Sequence, residues 1–177
     1  DLKQYVTAPA KMYNTTYTPN ATQCARLMVG YKPSPCHNTL AAAGSGGVYS
    51  TPADMQKWMQ EFLSTDKQLR KRTATREQAI YFKRQQLNEI KGMDVAGLAD
   101  GLGLGWVYMQ PSNGRPGIYQ KTGGGGGFNS YMAMIPQQNI AVFVVMTRKE
   151  NSKFSKLTVG VNELVAALST NHAYGKH

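Results

Sequence analysis

The sequence predicts an α+β fold, an antiparallel β-sheet flanked by helices, and three observations carry that reading. Met55, Trp58, Met59, Phe62 and Leu63 recur at i, i+3, i+4, i+7 and i+8, one apolar face of a helix. Between residues 101 and 147, apolar runs are joined by short turn-forming stretches, so consecutive strands pair antiparallel. Leu157, Val161, Leu164, Val165 and Leu168 form the stripe of a final helix. At 177 residues and 41% apolar content the chain is long enough for one domain with a core, and no apolar run approaches a membrane span. The expected division is a single partial domain. It comprises a loop-rich arm over 1–47, a helical stretch over 48–100, an antiparallel meander over 101–148 and a helix over 152–170.

The arm is rich in Pro, Thr and Asn and holds both cysteines, Cys24 and Cys36. Two cysteines are too few for a zinc site unless His37 and another residue join them, and their spacing fits no common finger. A disulfide closing this short loop would contribute about 3 kcal/mol in the chain-entropy view and places the protein in an oxidising compartment. The alternative is two buried thiols. The chain starts at Asp1 without a basic-then-apolar leader or an initiator Met, which reads as a processed chain or a fragment.

The first clear helix starts at Thr51-Pro52-Ala53-Asp54. Thr51 can cap, Pro52 suits the first helical position, and Asp54 can return a bond to the cap. A second helix is expected from Glu77 to about Ile90. The run Gly101-Leu102-Gly103-Leu104-Gly105-Trp106-Val107-Tyr108-Met109 reads as one strand entered through a glycine-rich bend. The segment from Pro111 to Gly117 is a turn. Strands follow before Lys121 and from Asn129 to Ile135. After a turn at Pro136-Gln137-Gln138-Asn139, a buried apolar strand runs from Ile140 to Thr147.

The net charge is +10, and between Lys67 and Lys91 eight basic residues face two acidic ones. A docking face for a polyanion is one reading; a solvated helix is the preferred one. No zinc-finger spacing, RNP-type aromatic motif or recognition helix accompanies the charge, so nucleic acid is not an expected partner. His37, His172 and His177 lie in a loop and in the C-terminal tail, with no acid or nucleophile at triad-like spacing. Gly44-Ser45-Gly46-Gly47 lacks the Gly-x-Ser-x-Gly of a nucleophile elbow, because Ala43 stands at the first position. Neither a metal nor a cofactor is expected.

The most informative stretch is Lys121-Thr122-Gly123, continued by four more glycines to Phe128. A cation, a hydroxyl and backbone without side chains follow one another, which suits an anionic substrate lying against the polypeptide. A P-loop would place its glycines before the Lys-Thr and a helix after it. Here the glycines follow and a strand continues, so nucleotide binding is discarded. Gly101-Leu102-Gly103-Leu104-Gly105 likewise lacks dinucleotide-fingerprint spacing.

Lys-Thr-Gly is also a signature element of serine β-lactamases and penicillin-binding proteins. Three segments resemble class C β-lactamases in order and spacing: Gly46 to Met55, Gly103-Leu104-Gly105-Trp106, and Lys121 to Tyr131 followed by Ile135-Pro136. The chain resembles the C-terminal half of that fold, and within it the periplasmic AmpH-type D-alanyl-D-alanine carboxypeptidase/endopeptidases. The resemblance implies that Lys121 binds the substrate's terminal carboxylate and Thr122 donates to it. It implies that Gly123 lets a peptide lie along the strand and that the Gly124 amide is one oxyanion-hole donor. Asn129 and Arg148 are candidates for the cleft rim. An Asn-Lys pair of the class C enzymes is replaced here by Thr147-Arg148, which favours peptide recognition over β-lactam hydrolysis.

The family also needs a Ser-x-x-Lys and a Tyr-x-Asn. No Tyr-x-Asn occurs, and Ser64-Thr65-Asp66-Lys67 matches Ser-x-x-Lys in letters only, at the polar end of a surface helix. The expectation is one wall of a periplasmic active site for peptidoglycan peptides or β-lactams, inactive alone. It would be partnered by the missing N-terminal half and free of a transmembrane segment, with peripheral membrane or wall association open. The alternative is a non-catalytic module that binds anionic peptides or wall polymers. A second is a polyanion-binding protein using Lys67 to Lys91.

Overall fold

The computed structural model describes residues 1–63, 69–147 and 153–174, the side chains of 69–71 and 171–174 excepted. Among these residues the helices are α1 (Ala21–Cys24), α2 (Pro52–Leu63), α3 (Leu69–Gln78) and α4 (Ser155–Tyr174). The strands are β1 (Phe82–Lys83), β2 (Gly101–Leu102), β3 (Val107–Met109), β4 (Ile118–Gly125), β5 (Phe128–Ile135) and β6 (Ile140–Thr147). They form one antiparallel sheet in the order β1-β2-β3-β4-β5-β6, a meander in which each strand lies beside its neighbour in sequence. The described residues divide into two compact units. One takes those within Asp1–Gln60, Gly123–Ser130 and Phe143–Ser152, the other those within Glu61–Thr122, Tyr131–Val142 and Lys153–His177.

In the first unit, Thr51 caps α2 by accepting from the Asp54 amide at 3.2 Å. Asp54 does not return a bond to the cap, contrary to expectation. Its buried carboxylate accepts instead from the Asn14 amide at 2.8 Å, the Thr15 hydroxyl at 2.9 Å and the Lys57 ammonium at 3.3 Å. Burying a carboxylate demands partners, and the N-terminal segment supplies two of the three. That segment is further tied by a backbone bridge between Thr16 and Tyr49. Cys24 and Cys36 form a disulfide with Cα atoms 5.7 Å apart.

In the second unit, β5 contributes five consecutive buried residues, Tyr131 to Ile135. A stretch of strand buried at five positions in a row is covered on both faces. Tyr131 donates its hydroxyl to Asn162 Oδ1 at 2.5 Å, and Asn162 Nδ2 donates to the Ala96 carbonyl at 2.8 Å. Burial pushes the Tyr131 phenol well above its usual range. Phe62 and Trp106 meet edge to face with centroids 4.9 Å apart, a geometry worth about 0.5–1.5 kcal/mol beyond the area it buries. Burial raises the Glu77 carboxyl, and a hydrogen bond with Trp106 partly offsets that.

Four expectations change. The α-helix foreseen from Glu77 to Ile90 does not form: α3 runs Leu69–Gln78 and takes in only Glu77 and Gln78 of that stretch, because the chain beyond it pairs with β2. The Tyr81 amide donates to Leu102, the Arg84 amide to Asp100, and Phe82 and Lys83 form β1. The Gly101–Met109 run is two strands folded back at Gly103-Leu104-Gly105, with Leu102 opposite Val107. β6 is half-buried along all eight residues instead of buried. On α4, Thr158, Val161, Val165 and Ser169 face inward while Leu164 and Leu168 are exposed, so the buried stripe is rotated from the leucine stripe.

Arg84 grips Asp94 with two bonds, 2.8 and 2.9 Å, and the Ala99 amide donates to the same carboxylate at 2.8 Å. These contacts lower the Asp94 carboxyl to about 2, the Arg84 hydrogen bond first and the Ala99 amide next. A carboxyl lowered on folding adds stability above its unfolded value and loses it as pH falls through the folded one. Asp94→Asn is therefore expected to cost a constant increment above about pH 5, with the gap to the parent closing between about pH 4 and pH 2. Urea unfolding of both proteins across that range checks this. A gap as large at pH 2 as at pH 5 contradicts it.

Candidate functional site

Lys121, Gly123 and Gly124 are exposed on β4 and Thr122 is half-buried, while Ile118 and Gln120 of the same strand are buried. Alternation along the strand makes this: Ile118 and Gln120 point to one face, Tyr119 and Lys121 to the other. Gln120 stands opposite Val107 and Tyr119 opposite Tyr108, whose ring centroid lies 4.9 Å away. Burial and the neighbouring Tyr108 raise the Tyr119 phenol. The Lys121 ammonium donates to the Thr122 carbonyl at 3.0 Å, a weak restraint at an exposed position that leaves it able to turn to an anion.

The glycine run has two physical roles. Gly123 and Gly124 extend the strand, and a Cβ built at Gly123 would stand 2.6 Å from Ser130 Oγ. Gly126 and Gly127 make the two-residue turn into β5, with φ of 58° and 84°. Positive φ at both central positions is the pattern of a type I′ hairpin turn, which matches the twist of the strands. The run is therefore strand for three residues and turn for two. Asn129 is half-buried, its Oδ1 3.5 Å from where a Gly124 Cβ would stand.

The described residues contain no cluster of three or more His, Cys, Asp or Glu side chains able to hold a metal. No described helix is long and apolar enough to cross a membrane. Residues 1–166 match the Beta-lactamase family model. This chain belongs to the beta-lactamase family. It is 57% identical over 170 residues to the D-alanyl-D-alanine-carboxypeptidase/endopeptidase AmpH of Escherichia coli K12, covering 96% of this chain and 44% of that protein. The AmpH of E. coli O157:H7 matches to the same extent. Among solved structures, a beta-lactamase/D-alanine carboxypeptidase from Yersinia pestis complexed with citrate aligns with a TM-score of 0.89 and 62% identity, over 95% of this chain and 48% of that one. A class C beta-lactamase aligns with a TM-score of 0.66 at 20% identity, over 92% of this chain and 49% of that one, a likeness of fold. The chain thus spans about half the length of the relatives it matches.

Of the residues singled out from sequence for this beta-lactamase-family chain, β4 carries Lys121, Thr122, Gly123 and Gly124 in succession, and Asn129 follows across the turn. Arg148 and the Ser64-Thr65-Asp66-Lys67 stretch lie outside the described residues. His37 and Ser45 are exposed. In the basic stretch, Arg84 is held by Asp94 and Lys91 lies 3.2 Å from Glu89; Lys67, Arg70 and Lys71 fall outside the side chains described. Two residues near the run were missed. Ser130 backs Gly123, and Ser34 donates its hydroxyl to the Gly126 carbonyl. The available signal for Ser34 was its place between Pro33 and Pro35, where both flanks are stiff.

Substitutions in the turn separate conformational from steric cost. Gly126→Ala forces a left-handed Ala with no Cβ contact closer than 3.9 Å, at about 1–2 kcal/mol. Gly127→Ala adds a Cβ 2.9 Å from Ser34 Oγ to the same penalty. Thermal unfolding is expected to rank Gly127→Ala below Gly126→Ala. The reverse order would contradict the contact with Ser34.

Proposed function

We propose that this chain supplies the carboxylate-binding and oxyanion wall of a periplasmic serine hydrolase. The enzyme would act on D-alanyl-D-alanine peptides of peptidoglycan and form an acyl-serine with them and with β-lactams. The observation that carries the reading is the exposed Lys121-Thr122-Gly123-Gly124 run on a strand otherwise anchored in the core. Lys121 and Thr122 would bind the terminal carboxylate, the cation through a charge-assisted bond. Gly123 leaves room for a peptide backbone to lie alongside β4 as an added strand. The Gly124 N–H would donate to the oxyanion as the carbonyl becomes tetrahedral, a contribution of about 3–4 kcal/mol in comparable acyl-transfer sites. Asn129 and Arg148 would line the rim. The Cys24–Cys36 bridge supports an oxidising compartment such as the periplasm.

The 177 residues contain no Tyr-x-Asn, and Ser-x-x-Lys appears only at Ser64. In this reading the nucleophile and base belong to sequence beyond these residues, and the chain alone is inactive.

The test is covalent labelling by a fluorescent penicillin. The full-length protein containing this chain is expected to form a stoichiometric adduct, Lys121→Ala to slow its formation by about ten- to a hundredfold, and the 177-residue chain to form none. An adduct on the chain alone overturns the division of the site. If the full-length protein forms no adduct but binds a D-alanyl-D-alanine peptide through Lys121, the non-catalytic binding module replaces the enzyme.

A further inference from the structure

We propose that Ser34, held by the Cys24–Cys36 bridge, is a positioning residue that fixes the β4–β5 turn and through it the Gly124 amide. The inference rests on the reading of Gly124 as an oxyanion donor. The need for such a restraint follows from composition. Five successive glycines carry more backbone freedom than any other run of that length, and the Gly126-Gly127 turn has no side chains of its own to pack. An oxyanion donor acts only if it is aimed before reaction, and a misplacement of about 1 Å costs up to about a hundredfold in rate.

The segment from Cys24 to Cys36, itself part of the first unit, supplies the restraint. The disulfide ties its two ends across a sequence separation of 12. Beside Cys36, the Tyr49 hydroxyl donates to the Pro35 carbonyl at 3.0 Å and accepts from the His37 amide at 3.4 Å. Tyr49 is itself fixed by two backbone bonds of 2.9 Å with Thr16. The crest of the loop is Pro33-Ser34-Pro35, where both prolines have fixed φ and each restricts the residue before it. From that crest Ser34 donates to the Gly126 carbonyl. The approach is close enough that a Cβ at Gly127 would lie 2.9 Å from Ser34 Oγ. Farther along the loop, a Cβ at Gly30 would stand 3.2 Å from Thr147 Cγ2, so the loop also lies against the end of β6. A loop tied at its base, stiffened at its crest and bonded to one carbonyl of the turn removes freedom that the glycines leave open.

The test uses the full-length protein in two readouts. Hydrogen exchange at the 124–128 amides is expected to speed up about fivefold in Ser34→Ala, as loss of one neutral hydrogen bond implies. Exchange at Tyr131–Ile135 should be unchanged, and Ser34→Thr should restore protection. Replacing both cysteines by Ser should reproduce the effect and add little in the Ser34→Ala background. Unchanged exchange at 124–128, equal acceleration in β5, or full additivity with the cysteine variant each overturns the brace. In penicillin acylation, Ser34→Ala is expected to lower the limiting rate about fivefold with little change in half-saturation. Faster exchange with an unaltered limiting rate overturns the positioning role. If the parent protein is not acylated at all, the functional reading fails, and the exchange data still decide the brace.

Discussion

Burial of β5 on both faces is the constraint on which the sheet depends. From Tyr131 to Ile135 every position is buried, so the neighbours must cover that stretch and satisfy its polar groups. The Tyr131 hydroxyl would be an orphan in such a place, and the chain through Asn162 to the Ala96 carbonyl removes that cost. α4 answers the same demand. Its inward positions include Thr158 and Ser169 while Leu164 and Leu168 stay outside, because the helix must present Asn162, Val161 and Val165 on neighbouring positions.

That arrangement explains how much was legible in sequence. The α2 stripe, the turn at Pro111 to Gly117 and the strands around Lys121 could be read because period and turn chemistry agree there with the final packing. The Glu77–Ile90 helix could not. Only Glu77 and Gln78 of that stretch are α-helical, as the end of α3, while Tyr81 and Arg84 find backbone partners on Leu102 and Asp100, a pairing remote in sequence. Propensity yields to tertiary pairing in such short segments. The leucine stripe of α4 misled for a related reason: apolar identity marks what can be buried, and packing selects which face is.

The candidate site shows the same split. Lys121 to Gly124 were evident as a motif because their chemistry is local and contiguous. The roles of Ser130 and Ser34 were not, since each depends on a contact made only after folding, and Ser34 is 92 residues from its partner Gly126. A serine between two prolines carries no signature of what it faces. Asp54 was recognised as a helix-start residue, yet its partners on Asn14 and Thr15 make it the anchor of the N-terminal segment.

The strand order also has a consequence for the colloidal behaviour of these residues. β1 ends the sheet with two residues, one of them Lys83, whereas β6 ends it with eight apolar or small ones, Ile140 to Thr147. A short charged edge resists pairing with other molecules, and a long apolar one invites it. What opposes that encounter is mutual repulsion from the net charge of +10. Repulsion of this kind reaches only about 8 Å at physiological ionic strength. Added salt therefore weakens the barrier between copies while leaving the attraction of their edges intact.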